Sequence, residues 1–246
     1  MKEEEIMVVR GILLYKGKAK EIYSTDDKNK IIMKYKDDAT AFNGLKKDVI
    51  NAKGIYNNKI STLIYKYLIS NGIATHWLET LNEREQLCEK VDIFPLEVIV
   101  RNRATGSLTK RLGVKEGKIF QEAIFEMSYK NDELGDPLIN SAHALALELA
   151  SKEELKVIKE KALLINNLLQ ELFAKIGFIL VDFKIEFGKN ASGKILLADE
   201  ISPDSVRLWE KETLEKFDKD RFRQDLGNVE EAYEEVLSRL EKLLDK

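Results

Sequence analysis

The stretch that most narrows the possible folds of this 246-residue chain is DFKIEFGKNASGKILLADEISPDSVR, residues 182–207. Val181, Phe183, Ile185 and Phe187 alternate with Asp182, Lys184 and Glu186, the period of two expected of a strand with one apolar and one charged face. Asn190, Ser192 and Gly193 supply turn chemistry, and residues 195–198 are apolar enough to return as the partner strand. With a loop over residues 189–194, Gly188 pairs with Ile195 and Lys184 falls opposite Asp199. Glu186 then lies diagonal to Asp199 on the same face, roughly 7–8 Å away. Two carboxylates so placed can close on one hard cation, and magnesium is typically held by one or two carboxylates together with substrate phosphates. A hairpin with one charged face is also compatible with a plain solvated surface. The continuation favours a site: Asp199 and Glu200 are followed by Ser202, Pro203, Asp204 and Arg207. Hydroxyl, acid and guanidinium groups thus crowd just past a strand end, where a loop can aim them at a ligand.

Length allows one large domain or two small lobes with a sizeable core. Lys and Arg total 40 against 43 Asp and Glu, a net charge of −3, so no global basic field argues for a nucleic-acid partner. One cysteine, Cys88, excludes an intrachain disulfide framework and a cysteine zinc site, and fits a reducing cytosol. Two histidines, His76 and His143, leave little scope for histidine metal sites, and neither has a G-x-S-x-G partner motif. Residues 1–5 are acidic and lack the basic start and apolar core of a signal peptide. No apolar run approaches the ~18 residues that span a bilayer. The expectation is a cytoplasmic protein with no membrane partner.

Residues 13–23, LLYKGKAKEIY, read as a strand with Lys16, Lys18 and Lys20 on one face. Gly17 and Ala19 leave little bulk opposite, a plausible phosphate cradle, although a lysine-rich edge strand looks the same. No Walker A loop is present. Residues 31–35 are the expected partner strand, and Asn43-Gly44 marks a turn. Residues 52–70 form an amphipathic helix with Ile55, Ile60, Leu63, Ile64, Tyr67 and Leu68 inward, stopped at Asn71-Gly72. Short strands follow at 77–81, 86–91 and 96–102, and residues 89–95 make a natural join between two lobes. The last of these strands runs into Arg101-Asn102-Arg103, small residues, Gly106 and Ser107, then Lys110 and Arg111. Guanidinium groups bind phosphate bidentately and a Gly-Ser turn exposes backbone N–H groups, while an ordinary charged turn remains the alternative. A strand is expected at 122–127, then a loop containing Lys130 and Asp136. Ser151 and Glu154 form a capping box for a helix to about residue 176. Its buried stripe is Leu155, Ile158, Ala162, Ile165, Leu169, Leu172 and Phe173. Tyr233, Val236, Leu237 and Leu240 line a final helix.

GKAKEIY, VIVRNRATGSLTKRLG, YKNDELGDPLIN, LVDFKIEFG, ADEISPDSVRLW and DKDRFRQDLG occur in this order and closely resemble the SAICAR synthetase family, the phosphoribosylaminoimidazole-succinocarboxamide synthases of purine biosynthesis. The resemblance runs from about Leu14 to Leu226. It departs near residues 37–44, where Asn43 stands in place of an acid found in some members, which leaves any ligand role there open.

The resemblance implies an ATP-dependent ligase. It joins the carboxylate of 5-aminoimidazole ribonucleotide carboxylate (CAIR) to the amine of L-aspartate, with ADP and phosphate released and a carboxyl-phosphate intermediate expected. Such chemistry asks for positioning and charge neutralisation, not a protein nucleophile. By resemblance, Lys18 and Lys20 meet the ATP phosphates, and Glu89, Val91 and Ile93 wrap the adenine. Glu186 and Asp199 are the magnesium-associated acids. Arg101, Ser107 and Arg207 hold the CAIR phosphate. Asp182, Lys184 and Asp204 line the same cleft as candidate catalytic groups, and Asp136, Lys130 and Arg223 are candidates for aspartate or substrate-loop contacts. The implied fold is a two-lobed α+β protein. Its strand-rich ATP lobe, residues 1–92, resembles that of protein kinases, and residues 93–246 complete the sites. Relatives imply a homodimer. Two rivals are a kinase-type phosphotransferase acting on a hydroxyl, which predicts an H-R-D loop that is missing, and an RNA-binding module, which predicts aromatics among the basic residues 101–111 that are also missing.

Overall fold

A computed structural model describes residues 8–41 and 45–244. Strands β1 (Arg10–Lys16), β2 (Lys20–Thr25) and β3 (Lys30–Tyr35) precede a two-stranded ribbon of β4 (Asp38–Ala41) and β5 (Lys46–Val49). Helix α1 (Lys53–Ser70) follows, then β6 (Trp77–Asn82) and β7 (Glu85–Glu89). The middle of the chain forms β8 (Asp92–Ile93), β9 (Leu96–Arg103), α2 (Ser107–Leu112), β10 (Ile119–Tyr129), β11 (Leu138–Ile139), α3 (Ser141–Ala146) and α4 (Lys152–Lys175). The last elements are β12 (Phe178–Lys189), β13 (Ile195–Ala198), β14 (Val206–Glu210), α5 (Asp220–Arg223) and α6 (Val229–Leu244).

Two antiparallel sheets result, β1-β2-β3-β7-β6 and β11-β10-β9-β12-β13, with β14 and β8 also paired to β12. The fold is therefore mixed α+β, as expected. β12 is the central strand of the larger sheet. The register with β14 shifts between Leu180 and Asp182, and this bulge changes which residues share a face. Phe178 and Leu180 join Phe183, Ile185 and Phe187 in the main core, while Val181, also fully buried, lies outside that cluster. Helix α4 packs across β12 and β9 and carries the anticipated capping box at Ser151 and Glu154. All seven residues of its predicted stripe are buried; each contributes roughly 1.5–3 kcal/mol if fully withdrawn from water, less for Ala162. Helix α6 packs on α1, with Tyr233, Val236, Leu237 and Leu240 buried. No helix among the described residues is long and apolar enough to cross a membrane.

Three expectations change. Residues 13–23 are not one strand: the chain turns at Gly17, whose N–H donates to the Lys20 carbonyl at 2.8 Å, and β1 and β2 form a hairpin. Lys16 and Lys18 thus stand on the outgoing strand and the tip, and Lys20 on the return. Second, Gly188 pairs with Leu196 and Glu186 with Ala198, one residue off the predicted register, because the loop comprises only residues 190–194. Third, α1 buries nearly its whole circumference, including Lys53, Asn57, Asn58, Ser61 and Thr62, whereas Ile55 and Tyr67 are half-buried. The turn expected at Asn43-Gly44 lies outside the described residues.

Candidate active site

Charged residues accumulate on the face of β12 that alternates with the core residues Phe183, Ile185 and Phe187. Asp182 pairs directly with Arg101 of β9 and with Arg207 of β14, so three charged side chains stand in a row across three strands. Arg101 Nη1 donates to Asp182 Oδ2 at 2.7 Å, and its Nε donates to Glu126 at 2.7 Å. Arg207 Nη1 donates to Asp182 Oδ2 at 2.9 Å and its Nε to Asp220 at 2.9 Å. Arg223 also donates to Asp220, and Arg111 to Glu126. Burial opposes the charge on Arg207, yet Asp182 and Asp220 outweigh it and raise the guanidinium pKa. Burial likewise pushes Asp220 up, but Arg207 and Arg223 together hold it below the usual carboxylate range. Gly106 sits against this row with φ +58°, and a Cβ there would lie 2.9 Å from Arg207 Nη2, so both backbone and space call for glycine. Ser107 follows it, exposed at the start of α2. The result is a cluster of four arginines held by three carboxylates, with guanidinium groups of the kind that bind phosphate bidentately.

Two residues on from Asp182 along the same strand comes Lys184, whose ammonium donates to Glu97, and two further comes Glu186. Four residues of strand separate Asp182 from Glu186 by about 13 Å. Glu186 accepts from Lys130 at 2.6 Å. Asp199 accepts from Lys20, which also donates to Glu200 at 2.9 Å. The observed register alone would turn Asp199 away from Glu186, because strand side chains alternate. Asp199 instead has φ +65°, and this left-handed residue re-aims its carboxylate. The two acids feel each other. Burial, and next the Asp199 charge, push Glu186 above the ordinary carboxylate range, with Lys130 pulling back. Burial acts the same way on Asp199, but Lys20 more than offsets it and holds that carboxyl low.

The other predicted residues fall around these two centres. Lys18, at the hairpin tip, donates to Asp132 at 2.6 Å. Asp136, with φ +51°, accepts from the Asn131 N–H at 2.9 Å. Glu89 accepts from Asn190 at 2.9 Å. Val91 packs over Gly188, where a Cβ would come within 2.6 Å of its Cγ2, and Ile93 pairs with Gly188 in β8. These three residues thus lie along the join between the sheets. Asp204 stands apart, in a third cluster: Lys53 donates to it at 2.6 Å and Tyr233 at 2.7 Å, with Lys219 at 3.6 Å.

Sequence inspection did not single out Glu97, Glu126, Lys53 or Tyr65, and weighed His76 only as a metal ligand or a triad partner. Glu97 and Glu126 needed the β9–β10–β12 register, since each reaches the site only as a cross-strand neighbour. Lys53 had a faint signal, a polar residue every fourth position (Lys53, Asn57, Ser61) along an otherwise apolar helix.

Among the described residues no group of three or more His, Cys, Asp or Glu side chains is placed to hold a metal by itself. Glu186 and Asp199 still fit a hard cation in their donor chemistry: two carboxylates crowded enough to perturb each other, with phosphate oxygens or water completing the set. Along β12 the buried Asp182, the exposed Lys184 and the buried Glu186 follow one another on one face, with the arginines of β9 and β14 beside Asp182 and Lys130 beside Glu186.

The chain matches the family model described as SAICAR synthetase over residues 13–240. A phosphoribosylaminoimidazole-succinocarboxamide synthase of Fusobacterium nucleatum is 61% identical over 231 residues, 94% of this chain and 98% of that protein. The crystal structure of such a synthase from Ehrlichia chaffeensis gives a TM-score of 0.91 at 47% identity, covering 93% of this chain and 98% of that one. A SAICAR synthetase in complex with ADP gives 0.90 at 49% identity, over 92% and 96% of the two chains. Sequence, backbone and the ordered motifs along β9, β12 and β14 thus agree, and the chain belongs to the SAICAR synthetase family, the ATP-dependent ligases that join CAIR to L-aspartate in purine biosynthesis.

Proposed function

We propose that the face of β12 is the ligase centre, with the ATP phosphates at the Lys20–Asp199 end and the CAIR phosphate at the Arg101–Arg207 end. The observation that carries this assignment is the alternation on one strand: Asp182 bonded to two arginines, Lys184 exposed and paired with Glu97, and Glu186 beside Asp199. ADP in the 49%-identical relative supports ATP as the co-substrate here. In this arrangement Lys18 and Lys20 neutralise phosphate charge, and Glu89, Val91 and Ile93 border the base. Magnesium, held by Glu186 and Asp199, would supply further charge neutralisation on the phosphates when bound. Arg101 and Arg207, with Ser107 and Arg223 beside them, fix the CAIR phosphate, so that its carboxylate points along the strand toward Lys184. The γ-phosphoryl group passes to a carboxylate oxygen of CAIR and ADP leaves. The aspartate amine then attacks the acyl carbon and gives up a proton, the C–N bond of the amide forms as the acyl C–O bond breaks, and phosphate departs carrying the former carboxylate oxygen.

Nothing in this sequence asks for a covalent protein intermediate. Cys88 is buried and its thiol pKa is pushed up by burial. His143 is committed to the start of α3, where its Nδ1 accepts from the Asn140 N–H at 3.3 Å. Lys130 and Asp136 flank the nucleotide end and are the proposed contacts to aspartate. We take residues 1–92 as the nucleotide lobe and 93–246 as the lobe that completes the sites; the change from one sheet to the other at residues 89–92 supports that division. Cytoplasmic location and a homodimer are part of the same proposal and rest on the family likeness.

ADP release with CAIR alone, aspartate alone and both together tests the assignment. Both are expected to be required, with one ADP per succinocarboxamide, and Asp199→Asn is expected to abolish turnover while the protein stays folded. ADP release that ignores aspartate would favour phosphoryl transfer to a hydroxyl. Near-normal activity of Asp199→Asn at saturating magnesium would remove Asp199 from the centre.

A further inference from the structure

The left-handed backbone at Asp199 needs a cause. Seven described non-glycine residues have positive φ, namely Ala52, Asp136, Glu148, Asp199, Leu214, Asp225 and Asn228. Of these, only Asp199 has a carbonyl that receives hydrogen bonds from side chains among the described residues. Tyr65 OH donates to it at 2.8 Å, and His76 Nε2 lies at 3.2 Å. A carbonyl only accepts, so Nε2 carries the proton and His76 is the neutral Nε2–H tautomer. The other ring nitrogen, Nδ1, is buried with no partner, as a ring whose single N–H is already used would leave it. Tyr65 is fully buried and His76 3% exposed, and their rings meet edge to face at 5.9 Å. His76 is itself fixed by its backbone, through its N–H to the Leu197 carbonyl at 2.8 Å and its carbonyl from the Glu89 N–H at 2.7 Å.

Tyr65 also belongs to a longer alignment. Lys53, Ser61 and Tyr65 lie on one ridge of α1, spaced by multiples of four residues. They hold Asp204, the Ile201 N–H and the Asp199 carbonyl in turn, the middle bond at 3.1 Å. The segment 199–204 therefore runs antiparallel along the helix and is tied to it at three points.

We propose that Tyr65 and His76 are positioning residues: they hold the Asp199 carbonyl, keep that residue left-handed, and so turn its carboxylate across to Glu186 against the strand register. This rests on the assignment of Asp199 to the nucleotide's metal and phosphates, and the test separates the two. ADP binding is measured by calorimetry with and without magnesium, alongside CAIR binding and thermal midpoint, for the unaltered protein, Asp199→Asn, Tyr65→Phe, His76→Leu and His76→Gln. Magnesium is expected to tighten ADP binding in the unaltered protein and to have no effect in Asp199→Asn. Tyr65→Phe and His76→Leu are expected to shrink the magnesium effect about three- to tenfold, the loss of one hydrogen bond, with CAIR affinity unchanged. His76→Gln, which keeps an N–H donor, is expected to retain it. A magnesium effect that survives Asp199→Asn would overturn the metal assignment itself. One that disappears in Asp199→Asn yet persists in both Tyr65→Phe and His76→Leu, whatever their melting points, would reduce Tyr65 and His76 to ordinary core residues.

Discussion

Arg207 is asked to do three things with one guanidinium. Its Nε is given to Asp220 and its Nη1 to Asp182, which leaves Nη2 facing the glycine at 106. The two carboxylates hold the fork in one plane without using all its donors, so an arriving phosphate meets a donor already oriented. A lysine offers the same charge from a single point and cannot satisfy both acids while pointing at a third anion. Arg207→Lys is therefore expected to weaken CAIR binding by about 1.5–3 kcal/mol, roughly ten- to a hundredfold, with ATP affinity within about threefold. Direct titration of each ligand checks this. Comparable losses for both would detach Arg207 from the phosphate end. The residue type was legible in the sequence, from a basic group just past Ser-Pro-Asp. That Asp182 braces it was not, because the pairing depends on β14 lying beside β12, and no strand had been expected at Val206–Glu210.

Elements carried their signals unequally. Helix α4 was readable almost to the residue, since its capping box and its apolar stripe are both local features. The β1–β2 hairpin was missed because Gly17, Lys18 and Ala19 lack the Asn-Gly or Asp-Gly pattern that marks a tight turn. Helix α1 was found, yet its orientation was half legible: a stripe of aliphatic residues identified one buried side, while the opposite side is buried against polar partners. Lys53 has no exposed surface and lies 2.6 Å from Asp204. Tyr233 of α6 donates to the other Asp204 oxygen, so one carboxylate ties α1, the 199–204 segment and α6 together. Removing the lysine leaves a buried acid with a more distant cation. Lys53→Met is expected to cost about 3–5 kcal/mol of unfolding free energy, read from urea midpoints. Lys53→Met combined with Asp204→Leu should recover part of that loss, because the buried carboxylate leaves with its nearest cation and only Lys219, 3.6 Å away and partly exposed, loses its acid. A double variant as unstable as the sum of its single changes would mean that the ion pair contributes little beyond packing.

At the scale of the molecule, one apolar cluster runs from α1 through α4 and β12 to α6, and the buried acids are placed around it with opposite consequences. Asp204 faces Lys219, Lys53 and Tyr233. Burial pushes it up, but those partners more than compensate and hold it far below the usual range, so its contribution is present above the unfolded pKa and lost as pH falls. Asp218, fully buried, accepts among the described residues only from the Leu208 and Asp220 N–H groups, at 2.9 and 2.7 Å. Burial, then the Asp220 charge, push it up to about 7 from 3.8, against the pull of Arg207. Between those two values the folded protein keeps a proton that the unfolded chain has released. Asp218 therefore adds stability at acid pH that drains away as pH rises through about 7. From pH 5 to pH 8 the linked loss is about 2–3 kcal/mol. Asp218→Asn cannot titrate and should lack that slope, although its amide nitrogen opposes a backbone N–H and the variant starts from a lower stability. Urea midpoints of both proteins at pH 5 and pH 8 measure the difference. If both proteins change equally between those pH values, Asp218 is ionised throughout, and the Arg207–Asp220 pair beside it must be absorbing a second buried negative charge.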